Sequence, residues 1–146
     1  QEIINKTELC IVSTTLNDFD IAISNLRKSV ASYRSSAQVY EKEIQELNAK
    51  FATNYPTEIE KLNLSIQNIR AQSDKINLII ASLDKASHKF KTAVKGIDKI
   101  YSCDPKWDSI IQLKKDIAEA SKELTAIEKK TQEIIESNQS VVLSLK

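Results

Sequence analysis

Few side chains in this sequence have the types and spacing that chemistry requires. The chain of 146 residues holds one histidine, two cysteines and a single glycine, so it lacks a glycine-rich loop that could hold a phosphate. His88 stands among lysines rather than within a set of metal ligands. The carboxylates alternate with lysines, as in Glu41-Lys42-Glu43, which is typical of a solvated helix surface. The pattern predicts a protein that is not an enzyme and that uses no metal or cofactor.

The two cysteines, Cys10 and Cys103, are the residues with a predicted covalent role. Neither belongs to a C-x-x-C motif, so we expect no redox centre. In an exported protein two cysteines are normally joined, whereas in a cytosolic protein two such thiols are more often free residues of the core. The count alone favours a disulfide and leaves free thiols as the alternative.

Three stretches of the chain carry apolar residues at alternating steps of three and four, the spacing of helices that pack side by side. Pro56 ends the first stretch, and the capping pattern of Thr57 with Glu60 begins the second. Asp104 as N-cap and Pro105 in the first turn begin the third. The predicted helices cover about residues 6–52, 58–101 and 105–145.

Three helices of similar length joined by short linkers must alternate in direction. We therefore predict an all-α fold, an elongated antiparallel up-down-up three-helix bundle with left-handed coiled-coil packing, as a single domain over residues 1–146. One glycine and two prolines could not supply the turns of a β-sandwich or barrel. We expect a monomer rather than an oligomer.

A first turn near residue 55 sets which residues of the first two helices face each other. Cys10 then lies level with Ile100, less than one helical turn from Cys103, so this register predicts a Cys10–Cys103 disulfide.

Two tyrosines on the apolar stripe need hydrogen-bond partners, because a buried phenol is costly without one. The same register places Tyr33 near Thr131 and Tyr40 near Asn138. We predict that both tyrosines have structural roles.

Charge is balanced overall, with 21 basic against 20 acidic residues and a net charge of +1. Nothing global therefore attracts nucleic acid or an anionic membrane, and no apolar run approaches the ~20 residues that membrane insertion needs. One local basic face is a candidate for an anionic partner, such as a sulfated glycan or an acidic receptor patch. Its residues are Lys85, His88, Lys89, Lys95 and Lys99.

Three N-x-S/T sequons fit a glycosylated, extracellular protein. Asn5 and Asn63 are the candidate acceptors, whereas Asn138 is predicted to point inward. The chain begins at Gln1 without a methionine, so we expect a mature secreted chain.

The Gln1 start, the Cys10 and Cys103 pair, the scattered sequons and the long helices rich in Lys, Glu, Ile and Ser resemble the small all-helical salivary proteins that blood-feeding insects secrete, including the mosquito neutrophil-stimulating type. This similarity extends over the full length and transfers no functional residue, because no motif carries one. The resemblance implies a protein that modulates host immune cells or haemostasis by binding.

These observations predict a secreted, non-enzymatic binding protein that engages an extracellular protein through its helical faces, with Ile79, Ile111 and Ile135 as candidate contacts. Two alternatives stay open. One is a structural or oligomerising coiled-coil module that recruits a further helix. The other is a carrier of apolar ligands that opens at layers of small residues, such as the layer that contains Ser87 and Ala120.

Overall fold

A computed structural model describes residues 8–146 and shows three long helices with one small sheet. The predicted helical fold class with three helices is confirmed, and the sheet is an addition that the sequence analysis did not foresee. The elements in chain order are β1 (Leu9–Ile11), α1 (Val12–Phe51), α2 (Pro56–Ala93), β2 (Lys99–Tyr101) and α3 (Trp107–Leu145).

The link between α1 and α2 lies where it was predicted. The Tyr55 amide donates to the carbonyl of Phe51 at 2.8 Å, and the Ile59 amide donates to the carbonyl of Tyr55 at 3.0 Å. Pro56 therefore occupies the first helical position, where its missing N–H costs no hydrogen bond. The expected start at residue 58 with Thr57 as cap was wrong, because α2 begins before Thr57.

Helix α2 ends at Ala93 rather than at residue 101. Gly96 follows with a φ of 77°, a left-handed conformation that glycine adopts without a steric penalty. The Ile97 amide donates to the carbonyl of Val94 at 3.0 Å and closes the turn. The chain then continues in the extended conformation as β2.

The two strands form an antiparallel ribbon that ties the start of α1 to the segment after α2. Its paired residues are Leu9 with Tyr101, Cys10 with Ile100 and Ile11 with Lys99. The Val12 amide donates to the carbonyl of Asp98, and the Ser102 amide donates to the carbonyl of Glu8, both at 2.9 Å. Because hydrogen-bonded pairs alternate along such a ladder, Leu9 and Tyr101 form a non-hydrogen-bonded pair, whose side chains lie closest together. The expected start of α1 at residue 6 was therefore wrong, since β1 precedes it.

Asp104 caps the segment that leads into α3, as predicted, but the helix itself begins two residues later than expected. The Asp104 carboxylate accepts a hydrogen bond from the Lys106 amide at 2.8 Å, and α3 begins at Trp107.

The chain divides into two compact units, and each contains a part of all three helices. The first unit comprises the described residues up to Arg27 with Ile79–Lys122, and the second comprises Lys28–Leu78 with Glu123–Lys146. The prediction of a single domain stays a prediction.

The core of the first unit joins the ribbon to the helices. Cys10 and Ile100, on the inner face of the ribbon, are buried in one cluster with Phe19, Phe90 and Leu113. The rings of Phe19 and Phe90 meet edge to face with centroids 5.4 Å apart, a geometry that aromatic quadrupoles favour.

The core of the second unit lies on the predicted heptad positions. Ile44 and Leu62 are almost fully buried in a cluster that also contains Ile134. Near the end of α3 the stripe shifts by one residue, because Val142 is fully buried while Val141 is only half-buried.

Each buried tyrosine has a hydroxyl partner. Tyr33 bonds to Thr131 at 2.9 Å, as predicted. Tyr40 bonds to Ser65 at 2.8 Å rather than to Asn138, which was the wrong partner. Ser65 gives its own proton to the carbonyl of Leu62 at 2.6 Å, so the phenol of Tyr40 is the donor in its pair.

Polar pairs flank the α1–α2 contact in both units, and each pair lies one heptad further along both helices than the last. Asp20 contacts Lys91 at 3.0 Å and Arg27 contacts Asp84 in the first unit; Arg34 contacts Asn77 and Glu41 contacts Arg70 in the second. The partner number falls in α2 as the number rises in α1, so the two helices run antiparallel within each unit.

Leu62→Ala tests the buried stripe of the second unit. Leu62 is 0% exposed and Leu64, two positions along the same helix, is 57% exposed. We expect Leu62→Ala to lower the free energy of unfolding by about 2–5 kcal/mol, because a cavity remains. The matched Leu64→Ala should change it by less than about 0.5 kcal/mol. Denaturant titration measures both, and equal losses would contradict the assignment.

Tyr40 should make stability depend on alkaline pH. Burial raises the pKa of Tyr40 above its ordinary 10.0; the hydrogen bond to Ser65 opposes this and Glu43 adds to it. The unfolded chain loses this proton near pH 10 while the folded chain keeps it, so the free energy of unfolding falls as pH rises above about 10. Urea titrations on both sides of that pH should show a smaller fall for Tyr40→Phe. The control is Tyr55→Phe, since Tyr55 is exposed; identical pH dependence in both variants would refute the assignment.

Candidate binding surface

The outer face of the ribbon exposes three large apolar side chains of the first unit. Successive strand residues point to opposite faces, so Cys10 and Ile100 point inward and their neighbours point outward. Leu9, Ile11 and Tyr101 are 48%, 45% and 49% exposed. We call these three residues the ribbon face.

Sequence reasoning missed the ribbon face, although a signal was present. Leu9 and Ile11 flank an inward Cys10, and Lys99 and Tyr101 flank an inward Ile100, which is the two-residue period of strands. Gly96 was the second signal, since a glycine after an apolar stripe commonly ends a helix.

The predicted disulfide between Cys10 and Cys103 is wrong, because both cysteines are free. Cys10 is buried, with its sulfur 2.9 Å from the hydroxyl of Thr15. Cys103 is exposed and lies three residues beyond Ile100, the strand partner of Cys10. Cys103 lies beyond β2, in a turn that the Asp104 amide closes by donating to the carbonyl of Tyr101 at 2.9 Å, so Cys103 is exposed while Cys10 is in the core.

The lysines of the predicted basic face line two different grooves. Lys85 and Lys89 line a groove between α2 and α3 that also contains Asp116. Lys95 and Lys99 lie after α2 and line a different groove, beside the ribbon. His88 is exposed and lines neither groove.

The groove beside the ribbon, which we call the ribbon groove, has an apolar floor and a lysine rim. It encloses about 550 Å³. Its floor consists of Ile11, Val12, Leu16, Val94 and Ile97, and its rim carries Lys91, Lys95 and Lys99. Lys91 is paired with Asp20, whereas the side chains of Lys95 and Lys99 have no ion-pair partner among residues 8–146.

The isoleucines predicted as contacts differ in their surroundings. Ile79 packs against the cluster of Ile23, Leu83 and Ala120, and Ile135 packs against the core of the second unit. Ile111 is 43% exposed. Of the three, Ile111 is the most exposed, since Ile79 and Ile135 are partly buried.

The sequon asparagines also differ. Asn63 is exposed on α2. Asn138 is half-buried and its side-chain amide donates to the carbonyl of Ile134 at 2.8 Å, which agrees with its predicted inward position. Asn5 lies outside the described residues.

No group of three or more His, Cys, Asp or Glu side chains within residues 8–146 could hold a metal ion. In the same residues, none of the helices combines the length and hydrophobicity that crossing a bilayer requires.

No protein-family model matches the chain, and neither a curated protein nor a solved structure resembles it significantly.

Thiol labelling tests the cysteine assignment. We expect Cys103 to react with a maleimide within minutes in the folded protein and Cys10 to react only after unfolding, because Cys10 is 6% exposed and a buried thiol is inaccessible to the reagent. Mass spectrometry counts the labels. Cys103→Ser should take up no label when folded. Two unreactive cysteines in the denatured, unreduced chain would instead reveal a disulfide.

Proposed function

We propose that the protein is a secreted, non-enzymatic binding protein that engages an extracellular protein partner. The single observation that carries this proposal is the ribbon face, where Leu9, Ile11 and Tyr101 leave about half of their surface in water. Exposed apolar clusters rimmed by polar residues commonly mark interaction sites.

The composition of the ribbon face suits a protein partner. Leu9 and Tyr101 lie side by side as a non-hydrogen-bonded strand pair, so they present one continuous apolar area. Tyrosine is enriched in interface cores because it combines a large apolar ring with a hydroxyl. The exposed Lys99 lies across from Ile11 and supplies a polar rim.

The extracellular location and a host immune or haemostatic target rest on other support. The sequon at Asn63 is on the surface, where a glycan could be attached. The resemblance to secreted salivary proteins adds the expectation of a host target. The free cysteines do not contribute, because the disulfide common in exported proteins is not formed.

Self-association is the second candidate function, because the ribbon face could also pack against another copy of the chain. We propose a monomer, since the three side chains form only a small patch. Light scattering at about 16.5 kDa would support this, and a concentration-dependent dimer would favour the oligomerising module. A carrier of apolar ligands gains no support at the layer of Ala120, because Ala120 packs directly with Ile23 and Leu83.

Leu9→Ser combined with Tyr101→Ser tests the proposal. Immobilised protein is incubated with plasma and with leukocyte membranes, and each captured protein is quantified by mass spectrometry. We expect the double variant to lose at least about tenfold of a specific partner, because its central apolar contacts are gone.

The matched control is Val39→Ser with Leu78→Ser, which removes two apolar side chains that are 68% and 72% exposed in the second unit. Circular dichroism verifies that both variants keep their helices. Equal capture by the original chain, the ribbon variant and the control would overturn the ribbon face as the recognition surface.

A further inference from the structure

We infer that the ribbon groove binds an acidic peptide segment of the protein partner, with an apolar side chain of that segment on the groove floor. This inference rests on the proposed function and names the chemistry of its partner. It is carried by the groove floor, by the two lysines without ion pairs on its rim and by the continuity of the groove with the ribbon face.

The floor offers apolar surface that the fold itself does not cover completely. Leu16 and Ile97 are half-buried and pack against the core of the first unit, while Val94 beneath them is buried. Ile11 is 45% exposed. An apolar side chain placed here would remove water from four apolar neighbours, which is favourable.

Two lysines on the rim have no ion-pair partner among residues 8–146. Lys91 is paired with Asp20 at 3.0 Å. Among the described residues Asp98 is the acidic one that lines the groove, and no lysine of that part of the chain forms an ion pair with it. Lys95 and Lys99 are therefore available to carboxylates of a partner, and like charges on a rim also speed the approach of an acidic ligand.

The groove and the ribbon face share one residue. Ile11 lines the groove and also belongs to the ribbon face, and its strand partner Lys99 stands on the rim. A partner that covers the ribbon face therefore reaches the groove without a gap.

The apolar floor favours a peptide over a sulfated glycan. It would contact a leucine or isoleucine side chain, whereas a sulfated sugar presents hydroxyl and sulfate groups that gain little there.

The test uses a short fluorescent peptide that alternates Glu with Leu, and fluorescence anisotropy measures its binding to the full chain. We expect Lys95→Glu with Lys99→Glu to weaken binding about tenfold, since two ion pairs become repulsive. Ile11→Ser should weaken it about fivefold through the floor. Binding should also fall as salt rises.

The control variant is Lys85→Glu with Lys89→Glu, which changes the net charge by the same amount from the other groove. It should leave the affinity within about twofold. An equal loss in both charge variants, or no binding of the peptide by the original chain, would overturn the inference. Binding of a heparin fragment that depends on Lys95 and Lys99 but not on Ile11, with no peptide binding, would assign the rim to a sulfated glycan instead.

The same variants separate this inference from the proposed function. If the Lys95→Glu and Lys99→Glu variant still captures its protein partner fully while the Leu9→Ser and Tyr101→Ser variant does not, the groove inference fails and the binding function stands. If both variants lose capture, the groove inference and the proposed function are both supported. If neither variant loses capture, both are overturned.

Discussion

The antiparallel register between α1 and α2 is the constraint on which both units depend. A slip of α2 by one heptad would keep every apolar stripe in phase, so burial alone does not select the register. The flanking pairs do: a slip in one direction places Arg27 opposite Lys91, and a slip in the other places Asp20 opposite Asp84 and Arg34 opposite Arg70. Each exposed pair contributes only about 0.2–1 kcal/mol. The first slip would also pair Arg34 with Asp84, but both slips create at least one contact between like charges, and the observed register has none among these pairs.

Heptad spacing was sufficient to predict the three helices and most of the core, because the side chains that repeat every three and four residues share one helix face. It also located the Tyr33–Thr131 hydrogen bond. It failed at Tyr40, where the partner is Ser65, a position just beside the stripe. Asn138 is instead bonded to the carbonyl of Ile134. A stripe identifies the buried face, but it does not rank two polar groups that lie equally close to it.

The failure at the ribbon has one physical cause, which is that α2 ends at Ala93 and the chain continues as a strand followed by a turn. Cys10 was predicted to lie level with Ile100, and the two residues are strand partners. The prediction holds because the chain from Cys10 to the turn near residue 55 is as long as the chain from that turn to Ile100. In a continued helix Cys103 would lie about 4.5 Å along the axis from Ile100, but β2 ends at Tyr101 and Cys103 lies in the exposed turn that follows it. The pairing was therefore right while the disulfide was wrong. Lys95 and Lys99 lie beyond the helix for the same reason, since α2 ends at Ala93.

The candidate surface arises where the helical repeat stops. Along α1 and α2 the apolar residues at heptad positions point into the core. In a strand every second residue points to the other face of the sheet, so in the ribbon alternate residues point to solvent whether they are polar or apolar. The inner face of the ribbon is already complete with Cys10 and Ile100 in the core. Leu9 and Tyr101 contribute only part of their apolar surface to folding, because about half of each residue stays in water and hydrophobic stabilisation scales with the area removed from water. Burial of the remaining exposed apolar surface would therefore stabilise a complex with a binding partner rather than the fold itself.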